Sequence, residues 1–180
     1  MSRIGNRPIS LPEGTKVTVN GTEITVTGKL GTLTRNIETC VKVNQEGNEL
    51  VITRVNDSKP VKAKHGLYRS LINNMVVGVT EGYKKSLIIN GVGYKATKQG
   101  NKIVLNIGFS HPVTFVEEKG ITFEVPAVTE VVVKGIDKEV VGLIAAKIRQ
   151  TKPCEPYHNY GIRYSDEVVK KKAGKTAGKK

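Results

Sequence analysis

Tryptophan is absent from this 180-residue chain, and aromatic residues make up only 5% of it. A core here must be assembled from Val, Ile and Leu rather than from large rings. Cysteine is scarce too. Cys40 and Cys154 stand far apart, with no His or Cys at metal-ligand spacing. That pattern gives neither a zinc motif nor a disulfide framework. It fits two reduced thiols, with one bridge between them as the alternative. No apolar run approaches the roughly 18–20 residues of a spanning helix. Met1 to Pro8 has no apolar stretch and does not fit a secretory leader. Acidic residues are the other shortage, at 16 against 29 Lys and Arg, for a net charge of +13. Such an excess calls for a polyanionic partner, with nucleic acid ahead of an anionic membrane.

What is present is a pattern of strands and helices that occurs twice. Val17 and Val19, then Ile24 and Val26, alternate with polar residues around Asn20-Gly21. An Asn-Gly pair tolerates positive φ, so this stretch predicts a tight hairpin. Alternation continues near 40–44 and 50–55. Then the period changes. Asn56-Asp57-Ser58 offers capping side chains and Pro60 suits a first helical turn. Leu67, Tyr68, Leu71, Ile72, Met75, Val76 and Val79 follow at spacings of three and four, the apolar face of a helix ending at Gly82. His65 falls on its lysine-rich side.

After Gly82 the pattern restarts. Strand signals lie at 86–89, 102–107, 113–116, 121–125 and 129–134. Asp137 opens a second helix with Val141, Ile144, Ala145 and Ile148 on one face, stopped by Pro153. At an offset of 80, Asp57 meets Asp137, Val61 meets Val141 and Arg69 meets Arg149. The strand positions are out of phase by one, which requires a small insertion between strands and helix in one copy. The predicted fold is α+β, with two similar tandem domains. Each is a mostly antiparallel sheet with one helix packed on one face, and a basic C-terminal extension follows. The expected boundaries are 1–81, 82–152 and 153–180.

A search for reaction chemistry yields little. Gly91-Val92-Gly93 lacks the third glycine and the helix of a dinucleotide loop, and reads as a turn. His65, His111 and His158 have no carboxylate or thiol at triad or metal spacing. Glu117-Glu118 reads as a solvated pair in a turn. A binding role is therefore expected rather than an enzyme, with no metal and no cofactor. An enzyme assembled from distant residues is the alternative.

The chain ends in "EPYHNYGIRYSDEVVKKKAGKTAGKK". From Gly161 onward, seven Lys and Arg face two acidic residues, Asp166 and Glu167. Such a segment cannot bury enough apolar surface to fold alone. On a polyanion it can exchange condensed counterions for its lysines. Tyr157, Tyr160, Tyr164 and the Arg163 guanidinium offer flat surfaces for unstacked bases. A short helical turn is expected over 165–172, and its solvated face is the bland reading of Lys170, Lys171 and Lys172.

Six stretches then occur in order: "SRIGNRPISLPEG", "HGLYRSLINNMVVGVTEGYKKSL", "NGVGYKA", "GFSHPV", "IDKEVVGLIAAKIR" and the C-terminal segment quoted above. Together they resemble the family of the sixth protein of the large ribosomal subunit, in its bacterial or organellar form, over nearly the whole chain. The resemblance implies two similar tandem domains and a non-enzymatic role. It implies binding to large-subunit ribosomal RNA through the C-terminal domain and tail, near the translation-factor docking region at the stalk base. It also implies neighbouring ribosomal proteins as partners, passing proximity to translation factors, no membrane, and a place on cytoplasmic or organellar ribosomes. Carried residue by residue, it points to Tyr94 and Lys95, His111, and Lys152. Beyond them it points to Tyr157, His158, Tyr160, Gly161, Arg163, Tyr164, Lys170, Lys171, Lys172 and Lys175. Two departures stand out. His158 and Tyr160 replace the family's usual lysines, and Leu143 replaces its usual glutamine.

Overall fold

A computed structural model describes residues 3–175. The chain divides into two compact units, one reaching Tyr83 and taking in Ile136–Lys138, the other formed by Lys84–Gly135 and Glu139 onward.

In the first unit, β2 (Lys16–Asn20), β3 (Glu23–Gly28) and β4 (Gly31–Asn36) form an antiparallel sheet in that order. A second sheet has the order β1 (Ile9–Ser10), β6 (Glu49–Arg54), β5 (Val41–Glu46). The strands of this unit thus divide into two sheets where one was expected. In the β2–β3 hairpin, Asn20 is still paired with Glu23, so the tight loop is Gly21-Thr22 and Gly21 supplies the positive φ. Helix α1 (Lys59–Thr80) packs on β3, β4, β5 and β6. Ile24, Val26, Leu50 and Ile52 meet its Ile72, Met75, Val76 and Val79 in the core.

The start and the face of α1 differ from the sequence expectation. Ser58 occupies the N-cap without a side-chain cap bond. Its N–H and Oγ–H both donate to the Asn56 carboxamide oxygen, and the Asp57 carboxylate takes the Arg54 guanidinium. These polar groups brace the turn rather than cap the helix. Leu67 points to solvent, while His65 is only 2% exposed. The buried stripe starts earlier than predicted and runs Val61, His65, Tyr68, Ile72, Met75. A histidine fits an apolar stripe here because its polar atoms are met. Nε2–H donates to the Ile52 carbonyl at 2.8 Å, and Nδ1 lies 3.3 Å from the Arg54 guanidinium. Gly5 closes over the ring so tightly that a Cβ at that position would overlap it.

The second unit also has two sheets. β8 (Lys95–Gln99), β9 (Lys102–Asn106) and β10 (Val113–Val116) are antiparallel neighbours. The other sheet runs β11 (Ile121–Ala127), β12 (Glu130–Gly135), β7 (Tyr83–Asn90), β13 (Gly161–Tyr164). Helix α2 (Lys138–Thr151) buries Val141, Ile144, Ala145 and Ile148, the four residues that its periodicity predicts. Burial also explains the slipped repeat. Ile24 and Val26 correspond to Ile103 and Leu105, Leu50 and Ile52 to Val131 and Val133, and Val61, His65 and Tyr68 to Val141, Ala145 and Ile148. The offset changes by two residues before the strand that precedes the helix and by one after it, and each inward face is kept.

β13 is the main departure. Sequence reasoning assigned everything after residue 152 to an extension with almost no core. Instead Gly161–Tyr164 pairs antiparallel with β7, Ile162 opposite Ile89. Ile162 is fully buried, and its N–H donates to the Lys152 carbonyl. Gly161 lets this strand pass its neighbour. Its φ is +134°, and a Cβ would meet the Pro153 carbonyl oxygen at 2.5 Å. The helical turn expected over 165–172 is not formed, and a turn at Ser165-Asp166 leads into irregular backbone. Both cysteines are free thiols.

Candidate nucleic-acid interface

All fourteen residues singled out in the sequence fall in the second unit. They separate into four groups.

The first is built on the 91–94 and 108–111 loops and the end of α2. The Lys152 ammonium lies 4.9 Å from the ring centres of both Tyr94 and Phe109 and donates to the Ile107 carbonyl at 2.9 Å. Phe109 in turn stacks on His111. Lys152 is thus a half-buried pin between three chain segments rather than a free cation. His111 is exposed, and so is Lys95 on β8. Phe109, 45% exposed, was missed, because nothing in "GFSHPV" marks it as the floor under a lysine.

The second group is the turn from Glu155 to Tyr160. The Glu155 N–H donates to the Tyr160 carbonyl at 2.9 Å, and the Asn90 side chain donates to the Asn159 carbonyl at 2.8 Å. Asn159 adopts φ 61°, a left-handed conformation that asparagine tolerates better than most residues. His158 Nδ1 sits 3.1 Å from the Glu155 carboxylate. The His158 and Tyr160 rings stack, their centres 5.5 Å apart and their planes 22° from parallel. Tyr157 is exposed beside them.

The third group is a clasp around Glu167, which sequence reasoning took as mere countercharge. Its carboxylate receives the Arg149 Nε and Nη2 at 2.8 and 2.5 Å and the Tyr164 backbone N–H at 3.1 Å. Arg163 donates to the Glu167 carbonyl. The Tyr164 ring lies between Lys85 and Arg149. Arg163 and Tyr164 are therefore engaged within the fold, on a strand whose glycine neighbour, Gly161, is buried.

The Arg149 hydrogen bonds hold the Glu167 carboxyl below its ordinary value, while its partial burial works against them. A carboxylate with a depressed pKa adds stability that is complete above its unfolded pKa and is lost as pH falls through the folded one. The second unit should therefore weaken below about pH 4.5, the ordinary value of this carboxyl. Glu167→Ala, which leaves a half-buried guanidinium and an N–H without their acceptor, should cost about 1.5–3 kcal/mol at pH 7 and flatten that acid dependence. Urea titrations at pH 7 and pH 4 check both. An unchanged acid dependence in the variant would show that Glu167 is not its source.

The fourth group is cationic. Lys170, Lys171, Lys172 and Lys175 are exposed. The Lys172 backbone N–H donates to the Pro156 carbonyl at 2.9 Å, which sets this stretch beside the aromatic turn. The structure thus brings groups two and four together. Among the described residues no cluster of three His, Cys, Asp or Glu could hold a metal ion, and no helix is long and apolar enough to cross a membrane. Glu117, expected to be solvated, accepts instead from Lys98 and from the Phe123 N–H.

The fold defines an α+β protein of two units, each with two antiparallel sheets and one helix, whose second unit carries exposed cations beside exposed rings. The family model described as Ribosomal protein L6 matches residues 11–82 and 90–165. The chain is 54% identical over 179 residues to the large ribosomal subunit protein uL6 of Carboxydothermus hydrogenoformans, covering 99% of this chain and 98% of that one. It is 54% identical to that of Enterococcus faecalis over 176 residues, covering 98% and 99%. The uL6 protein of Listeria monocytogenes is 53% identical over the same length. The chain belongs to the ribosomal protein L6 family.

Proposed function

We propose that the protein is a non-enzymatic constituent of the large ribosomal subunit that binds its RNA near the translation-factor docking region and the stalk base. Residues 82–152 together with strand β13 act as the RNA-binding repeat domain, and the lysine run from Lys170 onward acts as its basic extension, with neighbouring ribosomal proteins as further partners. The observation that carries this reading is the Lys172–Pro156 bond, which holds a run of exposed lysines against an exposed aromatic turn. Lysines contribute affinity by displacing counterions from phosphates, and flat rings hold unstacked bases. Tyr94, Lys95 and His111 would extend the contact along the adjoining loops. Arg163, Tyr164, Lys152 and Gly161 act chiefly by holding those surfaces in place. The role as a subunit constituent is tested by sedimenting extract from cells that express the tagged full chain. The protein should travel with large subunits at moderate salt and leave them at high salt. Recovery in the soluble fraction at moderate salt would overturn the reading.

A further inference from the structure

The chain has six tyrosines, and four of them have a bonding or cationic partner within the fold. Tyr68 is buried and its hydroxyl donates to Glu38. The Tyr83 hydroxyl donates to the Asn74 carbonyl. Tyr94 carries the Lys152 ammonium, and Tyr164 is flanked by Lys85 and Arg149. Tyr160 differs. Its ring partner is the His158 imidazole, itself 70% exposed, and the tyrosine is 39% exposed. Two stacked rings at the surface gain little from burial, yet their backbone is fixed at both ends of the turn, by the Glu155 N–H and the Asn90 amide. The imidazole is fixed as well, by Glu155. A pair of rings held nearly parallel before any partner arrives loses little conformational entropy when a third flat group joins the stack.

Resting on the RNA-binding reading above, we infer that the His158–Tyr160 pair is a stacking platform for one unpaired base of large-subunit RNA. The flanking phosphates lie against the lysines that the Lys172–Pro156 bond brings alongside. The platform reads a π-face, so it favours a bulged, looped or extruded nucleotide over a continuous duplex, whose bases are stacked on one another. It also accounts for the departure at these two positions. Where two lysines would meet phosphate as point charges, this chain offers an aromatic surface.

The two modes differ in their salt dependence, which gives the test. Binding of the full chain to in vitro transcribed bacterial large-subunit RNA is measured over a salt series at pH 8. The His158→Ala/Tyr160→Ala variant should bind about 5- to 150-fold more weakly, with the slope of log K against log salt unchanged. Tyr160→Phe keeps the ring face and should bind like the original. His158→Lys/Tyr160→Lys should steepen the slope by about 0.7–0.9 per lysine. Undiminished binding by the double alanine variant, or a loss accompanied by a flatter slope, would overturn the platform. Failure of the unaltered chain to bind the RNA at all would instead overturn the reading beneath it.

Discussion

A chain ending at Lys152 should lose the fold of its second unit, and with it any meaning as a tail-free control. The deletion removes β13, leaving β7 as an unpaired edge and opening the space that Ile162 fills. It also strips Arg149 of the Glu167 carboxylate. The single substitution Ile162→Ala removes the packing alone, since its backbone bonds to β7 remain. At a fully buried site it should cost about 2–5 kcal/mol. Domains have about 5–15 kcal/mol in all, so this one side chain takes a large share. Urea denaturation followed by circular dichroism measures the substitution. Hydrogen exchange of the β7 amides measures the deletion, and those amides should lose protection. A chain ending at Lys172 keeps β13, the Glu167 clasp and the bond to Pro156, and should match the full chain. An unfolding midpoint for Ile162→Ala equal to that of the original would show that β13 is an ornament on the sheet.

That result bears on what the sequence reveals. Long periodic segments were legible. The Val17–Val26 hairpin, the register of α2 and the doubled unit all follow from spacing, because burial repeats every two or about 3.6 residues. Short or polar elements were not. β13 has four residues, one of them arginine, and lies between an aromatic turn and a lysine run, so its one core residue, Ile162, was read as part of a surface. His65 was placed on the polar face because Lys62 and Lys64 flank it. Its burial depends on the Ile52 carbonyl, 13 residues away in sequence. Of the candidate site, residue types were legible and their duties were not. Asn90 reaches Asn159 across 69 residues and Arg149 reaches Glu167 across 18. Only tertiary contact separates Arg163, which braces the fold, from Lys170, which faces solvent.

Replacing Lys170, Lys171, Lys172 and Lys175 with alanine should flatten the salt dependence of RNA binding while leaving the fold alone. All four side chains are exposed, and the bond from residue 172 to Pro156 uses the backbone, so alanine preserves it. Each lysine that neutralises a phosphate contributes about 0.7–0.9 to the slope of log K against log salt, so four contribute about 3. Between 50 and 200 mM salt the variant should therefore lose about 50- to 150-fold less affinity than the original. The same measurement separates the two halves of the interface. Lysine removal changes the slope and, at low salt, most of the affinity. Removal of the His158–Tyr160 pair changes affinity at every salt concentration and leaves the slope. If the lysine variant keeps the original slope, these cations do not meet phosphate, and the contact with RNA must be sought at the Tyr94–His111 loops, beside which Lys95 is exposed on β8 and where the Lys152 charge is already taken up by two rings and a carbonyl.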